Sequence, residues 1–372
     1  MDTIMNITAY GKDAEAAVRD AERLINHFDA LWSVGKPESE ISRINNGDTP
    51  ALNTATDDIL RQAELLREMT DGAFDERVFT LVDAWGFYSG DYRVPGGDEI
   101  AALLTSKDKI DLGGIAKGYA SDKAAELLRS EGVKSAIINL GGNVYALGSR
   151  PGGAAWRVAV RDPFDGAKYI GSLELRDLAA VTSGGYERYF EENGVRYHHI
   201  MDPRTGYPAD SGLASVTVVS ENGTLADGLS TGLFVLGKER AVELWRENKG
   251  LFELVLVEND GTVTITDGLK NSFSSDAPAS VAGAGVIGVF KDGELLHAVD
   301  LDAVSEPYDF VAGDDNIVRI APGEAFMLSA GCRDQICVRH AGLRSGGSYG
   351  LAGPVVCLPN KVVIKYIDEL PS

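Results

Sequence analysis

Asp111-Leu112-Gly113-Gly114-Ile115-Ala116-Lys117-Gly118 is the stretch on which the reading of this 372-residue chain turns. Glycines ahead of a helical segment let ligand oxygens approach backbone N–H groups, and the helix dipole favours an anion there. Lys117 offers a point charge to a phosphate, and a backbone carbonyl near Gly114 offers a hard ligand to a metal. The spacing is neither a P-loop, G-x-x-x-x-G-K-S/T, nor a dinucleotide fingerprint, G-x-G-x-x-G. A structural strand–helix turn would explain the same glycines. From Ala116 the pattern predicts a helix to Arg129, ended by Gly132.

A second glycine-punctuated stretch, Ala226-Asp227-Gly228-Leu229-Ser230-Thr231-Gly232, follows about a hundred residues later, at the start of a helix predicted over about 225–236. Asp227 and Thr231 stand at i and i+4, so their side chains leave one helix face. A carboxylate and a hydroxyl are oxygen ligands of the kind magnesium takes, and Gly228 and Gly232 thin the helix surface around them. A helix-capping Asp227 and an inward-packed Thr231 are the plainer alternative.

Working outward, residues 14–32 carry Ala14, Ala17, Val18, Ala21, Leu24, Ile25, Phe28, Leu31 and Trp32 at helical spacing, an amphipathic helix. Thr56 with Asp57 and Asp58 reads as the cap of another helix, stopping near Asp71-Gly72. Strands are predicted at 135–140, 156–161, 172–176, 195–201 and 215–219, then a second helix at 238–248 and a hairpin through Asn259-Asp260-Gly261. Helices and strands come in blocks, which indicates an α+β fold. Residues 268–280 lose periodicity and read as a linker between a domain over 1–267 and a small all-β domain over 281–372, with a hairpin turn at Lys291-Asp292-Gly293-Glu294.

With 56 acidic against 35 basic residues, the formal charge of −21 leaves no surplus of Lys and Arg to neutralise phosphates, and a nucleic-acid partner is not expected. The first ten residues hold neither a basic nor an apolar signal region, and alternate like a strand. All three cysteines (Cys332, Cys337, Cys357) fall near the end, too few for a disulfide scaffold. Cys332, Cys337, His340 and Cys357 could make a Cys₃His metal site. A Cys332–Cys337 disulfide, or three buried thiols, are the alternatives.

His198 and His199 lie side by side at a predicted strand end, before Asp202-Pro203-Arg204-Thr205-Gly206, a turn with proline at its second position. Neighbours in a strand face opposite ways, so one of the two can enter a given site, where it could take a proton from an attacking hydroxyl.

These residues match a known family. Asp111–Gly118, Asn139–Asn143, Ser183–Phe190, His199–Gly206 and Ala226–Gly237 resemble, in order and character, the motifs of the ApbE-like family, the FAD:protein FMN transferases. Ser39-Glu40-Ile41-Ser42-Arg43-Ile44-Asn45 and Gly72-Ala73-Phe74-Asp75 look like two earlier motifs, so the resemblance spans about 1–267. It implies that FAD binds with Mg²⁺ on its pyrophosphate, that a Ser or Thr hydroxyl of an acceptor flavoprotein attacks the FMN-side phosphorus, and that AMP leaves. By resemblance, Asp227 and Thr231 are metal ligands with the Gly114 carbonyl, and Ser230 is a weaker candidate. Met1, Ala73, Phe74, Asp75, Asp111, Lys117 and Met201 are FAD contacts, Thr3 completes the opening Met-x-Thr, and His199 is the catalytic base beside Asp227.

Three departures stand out: Glu76-Arg77 where the family usually has Pro-Thr, Gly185 where a polar residue is common, and Val34-Gly35 in place of an aromatic after Ser33. They bear on the flavin and adenine contacts and leave the metal set intact. The C-terminal domain resembles the second domain of NusG-type proteins through Gly331–Val338 and Cys357-Leu358-Pro359-Asn360-Lys361, without implying transcription. The expected function is flavinylation of an acceptor, with a membrane redox complex subunit as one such partner. FAD pyrophosphatase activity and non-catalytic flavin binding are the alternatives. The expected location is extracytoplasmic, with an anchor outside this sequence as one arrangement and the cytoplasm as the alternative.

Overall fold

The computed structural model describes residues 4–106, 109–275, 279–282, 286–301, 303–313, 315–332, 335–339, 342–344 and 355–367. Met1, Thr3 and His340 lie outside them. The chain forms two compact units, the first made of Met1–Ala241, Leu251–Val263 and Asn271–Pro278, the second of Val242–Gly250, Thr264–Lys270 and Ala279–Ser372. Among the described residues, no helix is long and apolar enough to cross a membrane.

In chain order the elements are β1 (Met5–Tyr10), α1 (Ala14–Trp32), α2 (Glu40–Asn45), α3 (Thr54–Met69), α4 (Phe79–Ala84), α5 (Gly97–Thr105) and α6 (Ala116–Ser130). Eight strands follow: β2 (Ser135–Leu140), β3 (Asn143–Gly148), β4 (Trp156–Arg161), β5 (Tyr169–Leu175), β6 (Leu178–Gly184), β7 (Tyr189–Glu192), β8 (Val195–His198) and β9 (Leu213–Ser220). Then come α7 (Gly223–Leu236), α8 (Lys238–Glu247) and β10 (Glu253–Glu258). The fold of the first unit is α+β, with strands β1-β2-β3-β6-β9-β10 side by side and antiparallel throughout.

Local chemistry explains most element boundaries. Helix α1 buries Ala14, Ala17, Ala21, Ile25, Phe28 and Trp32, the i, i+3, i+4, i+7 face. Helix α3 begins earlier than expected. Asn53 caps it by accepting from the Ala55 N–H at 2.9 Å, while Thr56 is buried and its hydroxyl accepts from Trp32 Nε1 at 2.9 Å. The threonine is thus spent on a helix–helix contact. The helix ends where Asp71 and Gly72 turn left-handed (φ 51° and 76°) and the Gly72 N–H reaches the Arg67 carbonyl at 2.8 Å. Strand β2 returns as β3 through Gly141 and Gly142, both at positive φ, which is the two-residue hairpin turn whose twist suits the flanking strands.

Helices α6 and α7 pack where neither carries bulk. A Cβ on Gly118 would stand 2.2 Å from the Gly223 carbonyl oxygen, and one on Gly223 would stand 2.7 Å from Asp122 Oδ1. That approach lets Asp122 of α6 accept from the Gly223 and Thr224 N–H groups (2.8 Å each) and from the Thr224 hydroxyl (2.6 Å), so one helix caps the other. Asn222 completes the cap by accepting from the Leu225 N–H at 2.8 Å. Helix α7 then lies on β6 and β9, burying Leu229, Leu233 and Phe234.

In the second unit, one sheet pairs 294–300, 286–291, 362–366 and 355–357 in that order, and another pairs 308–311, 317–321, 324–329 and 343–344. The hairpin at Asp292-Gly293 forms as expected, with φ 52° and 88° and Lys291 paired to Glu294. Within 281–372, where an all-β domain is expected, Ile336–Arg339 forms a short 3₁₀ turn among the strands. The unit's core includes Ile287, Val289, Val318, Ile320 and Ile364, with the three cysteines at the same level of burial.

Candidate active site

A cleft of about 1080 Å³ opens in the first unit, and the two glycine-punctuated stretches meet on its wall. Ala73, Phe74, Asp75, Asp111, Gly114 and Lys117 line it together with His199, Met201, Asp227 and Thr231. The described residues expected to touch the metal or FAD, together with His199, therefore line one cavity. Ser230 is the exception. It is fully buried behind the wall, with its hydroxyl donating to the Asp227 carbonyl at 2.8 Å.

Asp227 sits in the second turn of α7, not at its cap, and is 2% exposed. Its Oδ2 accepts from the Gly118 N–H at 2.8 Å, and its Oδ1 stands 3.4 Å from Lys117 Nζ. Gly118 is the third residue of α6, whose first-turn N–H groups have no partner within the helix, and the Asp227 carboxylate satisfies this one. Thr231, one turn on, keeps its hydroxyl 3.3 Å from Ser183 Oγ, and Ser183 Oγ lies 2.8 Å from Ser230 Oγ. Gly114 packs closely here, since a Cβ on it would stand 3.2 Å from Phe74 Cε2 and 3.5 Å from Thr231 Oγ1. A buried carboxylate, a hydroxyl and the Gly114 backbone carbonyl make an all-oxygen set, which fits a small hard cation.

The adjoining side of the cleft is built by the loop before α6. Asp111 Oδ1 accepts from the Gly113 N–H at 2.8 Å, Tyr88 donates its hydroxyl to Asp111 Oδ2, and Lys117 Nζ donates to the Gly113 carbonyl at 3.1 Å. Burial, then the Asp111 charge, push the Tyr88 phenol well above its usual range, so it stays a donor at neutral pH. The Asp111 N–H donates to the Glu76 carbonyl at 2.7 Å, tying this loop to the Ala73-Phe74-Asp75 segment.

That segment shows what Glu76-Arg77 does. Arg77 grips Asp75 in a fork, Nε to Oδ1 at 2.9 Å and Nη2 to Oδ2 at 3.1 Å, and its own N–H reaches Oδ1 at 3.0 Å. Asp75 is buried and held by its neighbour two residues on. The side chain of Glu76 turns inward, where burial raises its carboxyl above the usual range despite Arg67 at 3.4 Å.

The two histidines part as strand geometry requires. Strand β8 stops at His198, short of the expected Met201, because its hairpin with β7 closes at the Tyr189–His198 pair. His198 packs edge-on against Phe234, with Nε2 3.0 Å from the Ala209 carbonyl, outside the cleft. The same packing explains Gly185, where a Cβ would stand 2.7 Å from the His198 ring. His199 faces the cleft, its Nδ1 3.2 Å from the Arg188 carbonyl. A carbonyl can only accept, so Nδ1 carries the hydrogen and Nε2 keeps the lone pair. Burial, then the Arg188 charge, lower the His199 pKa to about 3, which leaves the ring neutral across the physiological range. The turn behind it is fixed by Trp85, whose Nε1 donates to the Gly206 carbonyl at 3.0 Å, and by the Gly206 N–H to the Asp202 carbonyl at 2.8 Å.

Ser183, Glu187, Tyr88 and Asn143 also line the cleft, and the sequence reading assigns them no role. Ser183 and Glu187 sit in a quoted motif, which is the one signal that could have found them. Tyr88 has none, because its place depends on the fold of α4.

Residues 1–256 match the ApbE family, and residues 272–369 match NusG domain II. An FAD:protein FMN transferase from Treponema pallidum (strain Nichols) is 32% identical over 295 residues, covering 68% of this chain and 82% of its own. Another, from Klebsiella pneumoniae (strain 342), is 34% identical over 269 residues, covering 66% and 83%. Among solved structures, the ApbE protein of Thermotoga maritima aligns with a TM-score of 0.66 at 33% identity, covering 71% of this chain and 93% of that one. The flavin transferase ApbE from Vibrio cholerae aligns with a TM-score of 0.65 at 30% identity, covering 73% and 96%.

Proposed function

We propose, from the premise that this chain belongs to the ApbE family, that its first unit transfers FMN from FAD to a Ser or Thr hydroxyl of an acceptor protein and releases AMP. The observation that carries this reading is the meeting of Asp227, Thr231 and Gly114 beside Lys117 on one cleft wall. Those three residues would hold Mg²⁺, which when bound supplies charge neutralisation at pyrophosphate oxygens.

The protein's own residues do the rest. Lys117 and the start of α6 receive the pyrophosphate, and the Ala73-Phe74-Asp75 segment, Asp111 and Met201 bound the space for FAD. His199 Nε2 accepts the proton of the acceptor hydroxyl as the new O–P bond forms at the FMN-side phosphorus and the bridging P–O bond breaks toward AMP. Neutral His199 with a fixed tautomer is ready for this without a prior deprotonation. The acceptor is a flavoprotein, and a membrane redox subunit on the extracytoplasmic side is the class we favour. The first 331 residues lack cysteine, which suits an oxidising compartment. Recovery of the native protein in the soluble cytoplasmic fraction alone would overturn that location.

The test is incubation with FAD, MgCl₂ and a short Ser/Thr-containing acceptor peptide, read by mass. Covalent gain of one FMN by the peptide, lost with EDTA and with Ser/Thr→Ala in the peptide, is expected. Free FMN and AMP with unmodified peptide would assign water as the nucleophile, and no turnover across a panel of acceptors would assign binding alone.

A further inference from the structure

The second unit holds every cysteine of the chain, and they converge. Cys332 and Cys337 flank the start of the Ile336–Arg339 turn, and Cys357 ends the strand Val355–Cys357. The three sulfurs all lie within 4.8 Å of one another, with Cys332 Sγ and Cys337 Sγ 3.9 Å apart. Three thiolates around one ion at about 2.3 Å would stand roughly 3.8–4.0 Å apart. A disulfide needs about 2.05 Å. Core packing alone would put each thiol against hydrocarbon, as a small apolar side chain. Here thiols from two distant segments point at one another inside the core, at 9%, 2% and 1% exposure.

Two asparagines stand beside the sulfurs. Asn316 is 1% exposed and directs Nδ2 at Met327 Sδ at 3.5 Å, while Asn360 Nδ2 donates to Asn316 Oδ1 at 2.5 Å. Among the described residues no His, Asp or Glu joins the three sulfurs.

We propose that Cys332, Cys337 and Cys357 form a thiolate site for a soft d¹⁰ metal ion, Zn²⁺ or Cu⁺. Thiolates select these ions over Mg²⁺, so the site is chemically separate from the oxygen set of the cleft. Binding exchanges thiol protons for the ion, with no change of oxidation state, so affinity falls as pH falls.

The experiment uses the full chain, reduced and desalted without oxygen, with Zn²⁺ in one arm and Cu⁺ in the other. Metal content is read by native mass spectrometry, and protection of each cysteine from iodoacetamide by peptide mapping. One equivalent that protects all three cysteines in either arm supports the site, and the arm that does so identifies the ion. Asp227→Asn should retain that equivalent, whereas Cys332→Ser, Cys337→Ser and Cys357→Ser should each lose it. Equal alkylation of the wild-type cysteines with and without both metals would overturn the proposal, whatever the variants do. So would a Cys332–Cys337 disulfide in the protein isolated without reductant.

Discussion

The Gly118 N–H donates to Asp227 Oδ2 at 2.8 Å, joining the first turn of α6 to the second turn of α7 across 109 residues of chain. This bond orients the buried carboxylate and satisfies a first-turn N–H that the helix leaves without an internal partner. Asp227→Asn keeps an oxygen for the Gly118 N–H but loses the charge. We expect a folded protein that still binds FAD and whose transfer rate falls about 100-fold or more, as when a charge-stabilising group is removed. Single-turnover transfer beside FAD-binding titration checks it, and unchanged turnover would remove Asp227 from the metal set.

Gly118→Ala should harm the protein more than Gly228→Ala. The new Cβ would meet the Gly223 carbonyl oxygen at 2.2 Å and Asp227 Cβ at 2.7 Å, whereas on Gly228 it meets Leu66 Cδ1 at 2.4 Å. Backbone cannot yield as a leucine terminus can. Overpacking of this kind costs about 1–3 kcal/mol, so Gly118→Ala should lower Tm by several degrees and slow transfer as well. Thermal melts of the two variants, run together, test the ranking.

His199 ties stability to pH. Its ordinary value of 6.5 falls to about 3 in the folded protein, so between these values the unfolded chain binds the extra proton. Its contribution to stability is full above about pH 6.5 and is lost progressively as pH falls toward 3. His199→Gln should flatten that part of the denaturation-versus-pH curve. It should also slow transfer by about 10²–10⁴-fold, the usual worth of a general base, with the wild-type rate showing no histidine titration between pH 5 and 8 in the unliganded enzyme. A kinetic pKa near 6.5 that vanishes in His199→Gln would refute the burial argument.

Arg77→Ala should loosen the Ala73-Phe74-Asp75 wall. Asp75 is 3% exposed while Arg77 is 38% exposed, so solvent screens part of the pair. Hydrogen bonds to a charged group support about 1–2 kcal/mol here after that discount. Urea denaturation should register that loss, and the KM for FAD should rise with kcat nearly unchanged. A fall in kcat at constant KM would place Arg77 in the chemistry instead.

What could be read ahead of the structure follows from local physics. The apolar face of α1, the hairpin turn at Asp292-Gly293 and the opposed histidines each depend on a few neighbouring residues. The cap of α3 was misplaced because Thr56 and Asn53 are both capping types, and the choice was made by Trp32, 24 residues away. Strands β3 and β6 gave no clear alternation, since both faces of much of each are buried.

The sequence alone determined residue chemistry and spacing: a carboxylate and a hydroxyl one helical turn apart, glycines ahead of a lysine, and a family of motifs in order. Tertiary structure alone decided that these motifs share a wall, that Asp227 takes the Gly118 N–H, that Arg77 binds Asp75, and that three late cysteines meet. Spacing along a helix or strand is a short-range property of the backbone. Convergence depends on how closely α6 and α7 can approach and how the strands register, and those are set by packing among residues far apart in the chain.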